Sequence, residues 1–304
     1  MARIAFLYPG QASQYVGMGK DLYDKFSTAK ELFLKADQLL GFNLSAICFE
    51  GLDEELKQTR ITQPAIFVHS VIVTRLLAEK NIVPDLAAGH SLGEYSALVA
   101  AGAMSFDDAL MVVKQRGELM QHAGEKQPGA MAAIIGLSKE IISEICDRAA
   151  SSGVVAAGNF NSPHQIVISG SLKGVARASE LAIEKGAKKV IPLVVSGAFH
   201  SPLMESAQKA LQATLQKVEI RAAKFPVYAN VTARPTKDAS EIRELLYKQL
   251  THPVRWVETI ENMIADESPD FYEVGPGDVL AALVKRINRN FVVQTKGKAA
   301  EIES

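Results

Sequence analysis

Gly89-His90-Ser91-Leu92-Gly93 spells G-x-S-x-G, the spacing in which a serine stands on a tight strand-to-helix turn with its hydroxyl exposed. Side chains at the two glycine positions would collide with neighbouring backbone. The pattern alone is equally met by a glycine-bracketed turn whose serine only caps a helix. A serine nucleophile needs a base, and the chain has six histidines. His69 and His122 fall inside helical patterns as structural side chains, and His90, adjacent to Ser91, points elsewhere on the turn. His200 stands between Ser196-Gly197-Ala198-Phe199 and Ser201-Pro202, on a strand-to-helix loop at a junction of two units, where clefts form. The chemistry open to this pair is attack by a base-activated serine. The first N–H groups of the helix after Ser91 are placed to stabilise an oxyanion.

The elements that must hold these residues can be read from apolar patterning. Arg3 to Tyr8 is a short apolar run stopped by Pro9-Gly10, and Pro84 to Ala88 is a second that leads into the turn at Ser91. Asp21 to Leu40, Thr62 to Lys80 and Glu94 to Ala103 carry helical spacing. From Ala130 the order changes: strand to Ile135, helix Ser138 to Ala150, strand Val154 to Phe160, strand Gln165 to Ser169, helix Ser171 to Lys185, strand Lys188 to Val195. That β-α-β-β-α-β order is the ferredoxin-like unit. It is flanked by helices at Gly117 to Lys126 and Pro202 to Gln216, so it reads as an insertion. The fold class is therefore α/β, with residues 1–127 and 199–304 forming a large α/β-hydrolase-like domain that carries the nucleophile elbow. Residues 128–198 form the small inserted ferredoxin-like domain. Strands Val227 to Val231 and Asp270 to Val274 and helices Ala239 to Leu250 and Val279 to Asn288 complete the large domain, and the tail from Thr295 is expected to fray.

Composition narrows the function classes. Against 34 Asp and Glu stand 33 Lys and Arg, without the basic excess of a nucleic-acid or anionic-membrane binder. Cys48 and Cys146 make no disulfide framework, and no Cys/His cluster has metal-ligand spacing. No stretch approaches the roughly 20 apolar residues of a membrane span and the N-terminal apolar run is too short for a signal peptide, so a cytoplasmic setting is expected.

Further motifs stand in order along nearly the whole chain, from Arg3 to about Arg289: Gly10-Gln11-Ala12-Ser13-Gln14, Gly89 to Tyr95, Gln115-Arg116-Gly117 with Met120-Gln121, Asn159-Phe160-Asn161-Ser162-Pro163, Gly197 to Ser201, and Gln249 followed by Pro253-Val254-Arg255-Trp256. Together they resemble the malonyl-CoA:acyl carrier protein transacylase family. The resemblance implies that Ser91 accepts the malonyl group as an ester and that His200 is the general base, oriented by the backbone carbonyl of Gln249. It implies an oxyanion hole from the N–H groups of Gln11 and Leu92, and Arg116 as the partner of the malonyl carboxylate. Phe199 matches the bulky aromatic of malonyl-selective members. The substrates so implied are malonyl-CoA and phosphopantetheinylated acyl carrier protein, with no further cofactor or metal. The state so implied is a monomer.

The Arg116 assignment also has independent physical sense. A guanidinium fork matches a planar carboxylate with two parallel charge-assisted hydrogen bonds. Arg116 and Met120, four apart on a helix, share a face and can line one pocket with a charge and an apolar wall. Asn159 and Asn161 either bind substrate or make Asx-type turn bonds. Two positions depart from the family pattern: His164 stands where many relatives carry a small residue, and Arg255 replaces a neutral polar residue common before the tryptophan. An acyl hydrolase with the same serine and histidine is the rival activity, although a common hydrolase order places an acid between serine and a late histidine. A non-catalytic carrier-docking module is the rival outside enzymes. An acidic carrier would need local positive charge, for which Lys185, Lys188, Lys189, Lys285, Arg286 and Arg289 are candidates.

Overall fold

In the computed structural model, which describes residues 3–267 and 269–303, the first apolar run forms β1 (Ile4–Tyr8). It is buried along nearly its whole length, as a run without alternation requires. β2 (Leu86–Gly89) lies parallel to it with Gly89 opposite Tyr8, so both strands end at one level. The chain then leaves for a second sheet made of β3 (Gly129–Ile135), β4 (Val155–Ser162), β5 (Gln165–Ser171) and β6 (Lys189–Pro192). Their order is β4-β5-β3-β6 and every pairing is antiparallel. Helices Lys139–Ala149 and Leu172–Glu184 pack on this sheet through Ile142, Ile145, Val175, Ala178 and Leu181, a core of its own.

The return path supplies β7 (Val227–Tyr228), β8 (Pro235–Thr236), β9 (Asp270–Val274) and β10 (Val293–Lys296). The large sheet runs β10-β9-β1-β2-β7-β8, parallel except for the β7–β8 pair. Helix Thr59–Glu79 is apolar around most of its circumference, and such a helix belongs inside a fold. By length and composition it would suffice to cross a membrane, contrary to the expectation that no stretch would; 83% of that stretch is buried within the fold.

Several elements depart from the linear reading. The helix expected over Asp21 to Leu40 is two, Lys20–Lys25 and Ser27–Leu40, because Phe26 is extended between them. The strand expected to reach Val195 stops at Pro192, the last residue that pairs with β3. The strand expected to reach Val231 stops at Tyr228, and a turn closed by Ala233 N–H on the Ala229 carbonyl follows. The tail is not frayed: β10 adds to the sheet edge and helix Ala299–Glu303 docks with Ile302 buried. Glu301 caps that helix by accepting from the N–H groups of Gly297 and Lys298, and Asp21 accepts from Ala299.

Where β1 and β2 end, the backbones come very close. A Cβ on Gly89 would lie 1.9 Å from the Gly93 carbonyl carbon, and one on Gly93 would lie 2.1 Å from the Tyr8 carbonyl oxygen. Backbone cannot yield as a side-chain tip can. Gly93→Ala is therefore expected to cost at least about 1–3 kcal/mol by overpacking and to displace Ser91. A urea midpoint within error of the parent would contradict this.

Candidate active site

Ser91 stands two residues past the end of β2 and has φ +50°, a left-handed conformation that a residue with a Cβ adopts at a cost. Helix Gly93–Ala100 begins two residues later, so the serine stands at the carboxyl end of a central strand and the amino end of a helix. His200, also at positive φ (+56°), comes from the loop that follows β6. Its Nε2 is 2.8 Å from Ser91 Oγ. Its Nδ1 is 2.9 Å from the Gln249 carbonyl and 3.2 Å from that of His252. Carbonyls only accept, so Nδ1 carries the proton and the Nε2 lone pair faces the serine hydroxyl.

Arg116, on helix Phe106–Lys126, is 1% exposed and donates from Nη2 to Ser91 Oγ at 3.0 Å and to Gln249 Oε1 at 2.9 Å. Nη1 donates to Gln63 Oε1 at 2.6 Å, and the guanidinium lies 5.6 Å from the Tyr95 ring centroid. Arg116 Nε and the Tyr95 hydroxyl are buried without a hydrogen bond. Among the described residues no carboxylate makes an ion pair with Arg116. A buried cation held only by neutral amides and a hydroxyl has the chemistry to pair with an anion.

Residues 5–302 match the acyl transferase domain family. The chain belongs to the acyl transferase family. Among the members it resembles, the malonyl CoA-acyl carrier protein transacylase of Bacillus subtilis is 50% identical over 290 residues, 95% of this chain and 92% of the relative. An acyl carrier protein S-malonyltransferase of Vibrio cholerae, solved by crystallography, is 42% identical with a TM-score of 0.95 over 99% of each chain. A malonyl-transacylase solved in complex with a type II PKS acyl-carrier protein is 41% identical, also with a TM-score of 0.95, over 99% of this chain and 98% of that one.

Around the acyl transferase's serine the remaining candidates take these places. Gln11 lies in the loop after β1, its Nε2 3.4 Å from Thr59 Oγ1, and neither its backbone N–H nor that of Leu92 donates a hydrogen bond among the described residues. Met120 shares a helix face with Arg116, and Gln63 touches both, donating Nε2 to the Met120 sulfur at 3.3 Å. Phe199 is buried beside His200. Asn161 Oδ1 lies 2.8 Å from His90 Nε2, so its amide is tied to the histidine beside Ser91. Asn159 is buried where its backbone bridges Val254. His164 is exposed on the β4–β5 turn, and Arg255 pairs with Glu258.

The linear reading missed four participants. Asn230, in the turn after β7, accepts from the Ser91 N–H at 2.7 Å and donates to the Gly89 carbonyl at 2.6 Å, bracing both sides of the turn at Ser91. Glu94 accepts from the Asn230 N–H and from Gln249 Nε2. The Gln249 side chain, beyond its backbone carbonyl, links Arg116, Glu94 and the Ser91 carbonyl. Gln63 supports Arg116. Glu94 lay inside the quoted motif, and its position in an apolar helix start was the one available signal.

Burial and then the nearby Arg116 charge push His200 down to about 3, so it is neutral at any working pH. Burial also lowers His90, and His69 falls to about 4. Between these values and the ordinary histidine range the unfolded chain binds protons that the folded chain does not, so stability falls as pH drops below about 6.5. Glu94 and Glu273, pushed up to about 7 by burial, act oppositely: their contribution is present at low pH and lost as pH rises through about 7. Unfolding free energy should therefore peak near neutrality and fall most steeply below about pH 4.5, where the glutamates no longer offset the histidines. Urea titrations across this range would check it, and a flat profile would contradict it.

Proposed function

We propose that Ser91 is the acyl-accepting nucleophile of a nucleophile elbow, His200 its general base, and Arg116 the receptor for the acyl carboxylate. The observation that carries this reading is Ser91 Oγ held between a neutral imidazole at 2.8 Å and a buried guanidinium at 3.0 Å. The protein transfers a malonyl group from malonyl-CoA to the phosphopantetheine thiol of acyl carrier protein.

In the proposed cycle Ser91 Oγ attacks the thioester carbonyl as its proton passes to His200 Nε2. The N–H groups of Gln11 and Leu92 stabilise the oxyanion. The C–S bond breaks, and His200 returns the proton to the departing CoA thiolate. The carrier's thiol then repeats the sequence on the malonyl ester, its proton passing through His200 back to Ser91 Oγ. The Gln249 carbonyl holds His200 in the required tautomer throughout. Met120 and Phe199 wall the acyl pocket, and Asn159 and Asn161 shape the floor beside the elbow.

The same reading takes residues 128–198 as an inserted ferredoxin-like domain against a hydrolase-like one formed by 1–127 and 199–304, and the setting as cytoplasmic. Lys185, Lys188, Lys189, Lys285, Arg286 and Arg289 are all exposed and offer charge to an acidic carrier. Lys185 already pairs with Glu144 and Arg286 donates to Gln165, which leaves Lys188, Lys189, Lys285 and Arg289 as the stronger candidates.

The test is intact-protein mass after mixing with malonyl-CoA, with and without carrier. A malonyl increment on Ser91 that moves to the carrier is the expected result. Free malonate with an unloaded carrier would establish an acyl hydrolase instead, and an increment undiminished in Ser91→Ala would overturn the nucleophile assignment.

A further inference from the structure

The cycle above leaves one buried acid without a part. Glu94, second residue of helix Gly93–Ala100, is 3% exposed. Its Oε2 accepts from the Asn230 N–H at 3.1 Å and from Gln249 Nε2 at 2.8 Å, and its Oε1 takes no hydrogen bond among the described residues. Gln249 in turn presents Oε1 to Arg116 Nη2, the nitrogen that reaches Ser91 Oγ. One amide thus separates the carboxylate from the guanidinium. The charged and titratable groups that act on Glu94 are Arg116, from helix Phe106–Lys126, and the Tyr95 hydroxyl of its own helix. The helix carrying Gln249 and the turn carrying Asn230 meet it with neutral amides only.

This spacing has an electrostatic consequence. Glu94 balances the Arg116 charge at one remove, so the guanidinium edge facing Ser91 is bonded only to neutral groups, Ser91 Oγ and the Gln249 amide, and carries no competing anion. Once a malonyl carboxylate occupies that edge, two carboxylates share one cation in a pocket of low dielectric. Like charges there raise the proton affinity of the acid that cannot leave.

We propose that Glu94 is a proton-linked counter-charge to Arg116, ionised while the acyl pocket is empty and protonated from solvent when the malonyl carboxylate takes the guanidinium. The inference rests on the reading that the malonyl carboxylate meets Arg116. Atoms balance: one solvent proton adds to a Glu94 carboxyl oxygen on malonylation and returns to solvent when the malonyl group leaves for the carrier. Burial already pushes Glu94 up to about 7, so only modest further repulsion is needed to keep it neutral at mildly alkaline pH. A neutral acetyl group would leave Arg116 to Glu94 alone and take up no proton. Glu94 is in this sense a positioning and selectivity residue that acts through Gln249 and Arg116.

The experiment is a single turnover of the full-length enzyme with malonyl-CoA or acetyl-CoA in weak buffer at about pH 8, with an indicator dye reporting protons and intact mass reporting the ester. For the wild type, uptake with malonyl-CoA should exceed that with acetyl-CoA by close to one proton per ester formed; the CoA thiol released is common to both and cancels. Glu94→Gln keeps an acceptor oxygen for Gln249 and Asn230 and should abolish the difference while still forming the malonyl ester. The KM for malonyl-CoA should rise by up to about tenfold per pH unit above neutrality in the wild type and stay flat in E94Q. A malonyl ester formed by the wild type with the same proton count as the acetyl ester overturns the proposal while leaving the serine mechanism standing. That comparison needs no variant. Absence of any malonyl increment overturns both.

Discussion

Replacing His200 by alanine is expected to slow formation of the malonyl-enzyme by about 10²–10⁴-fold, the usual contribution of a positioned base. The size follows from how completely the structure commits this imidazole. Its Nδ1 proton is held by backbone carbonyls on one side and its Nε2 faces Ser91 Oγ at 2.8 Å on the other. Burial beside Arg116 keeps it unprotonated, so no fraction of the enzyme is lost to the imidazolium at neutral pH. No other base stands ready among the described residues: His90, the nearest histidine in sequence, lies against Trp256 with its Nε2 bonded to Asn161. Rapid-quench mass spectrometry of a single turnover measures the step directly. In the variant the residual rate should rise with pH as hydroxide replaces the lost base, and a loss under about tenfold would place the base elsewhere.

Arg116→Ala is expected to lower kcat/KM for malonyl-CoA by about 10²–10⁴-fold, from the loss of two charge-assisted hydrogen bonds worth roughly 1.5–3 kcal/mol each. The same change should leave acetyl-CoA turnover little altered or improved, since a neutral acyl group has no carboxylate left unpaired in an apolar pocket. The variant also loses the donors to Gln63 and Gln249, so some instability is expected. The ratio of malonyl to acetyl kcat/KM, taken within one preparation, cancels that loss because misfolded enzyme lowers both rates equally. An unchanged ratio would remove Arg116 from acyl selection.

Ser91 and His200 illustrate which parts of a site can be read from linear order. Ser91 announces itself because one of the glycine contacts around it spans only a few residues, Gly89 against Gly93, and the other meets the end of the neighbouring strand, Gly93 against Tyr8. His200 stands out through its place on a loop between recognisable elements. Asn230 and the side chain of Gln249 carried no such mark, since an amide beside a turn has the same local sequence whether it faces solvent or a serine far along the chain. The strand-end and tail errors have a related origin. The run from Val227 looks apolar through Val231, yet pairing ends at Tyr228 because Ala229 and Asn230 turn away, and the Asn230 side chain bonds Gly89 and Ser91. The segment after Thr295 looked polar enough to fray, yet backbone pairing with β9 and the Glu301 cap hold it.

By itself the sequence determined the alternation of apolar runs and helical stripes, the succession of strands and helices from β3 to β6, and the tight turn at Ser91, all of which depend on neighbours within a few residues or on burial of whole faces. Only the tertiary structure decided which groups surround that serine. The Gln249 carbonyl meets His200 Nδ1, Arg116 finds amides where a carboxylate could have stood, and Glu94 lies one amide away from it. Hydrogen-bond partners inside a fold are chosen by distances of about 3 Å between elements remote in sequence, and such distances exist only once the sheets and helices have packed.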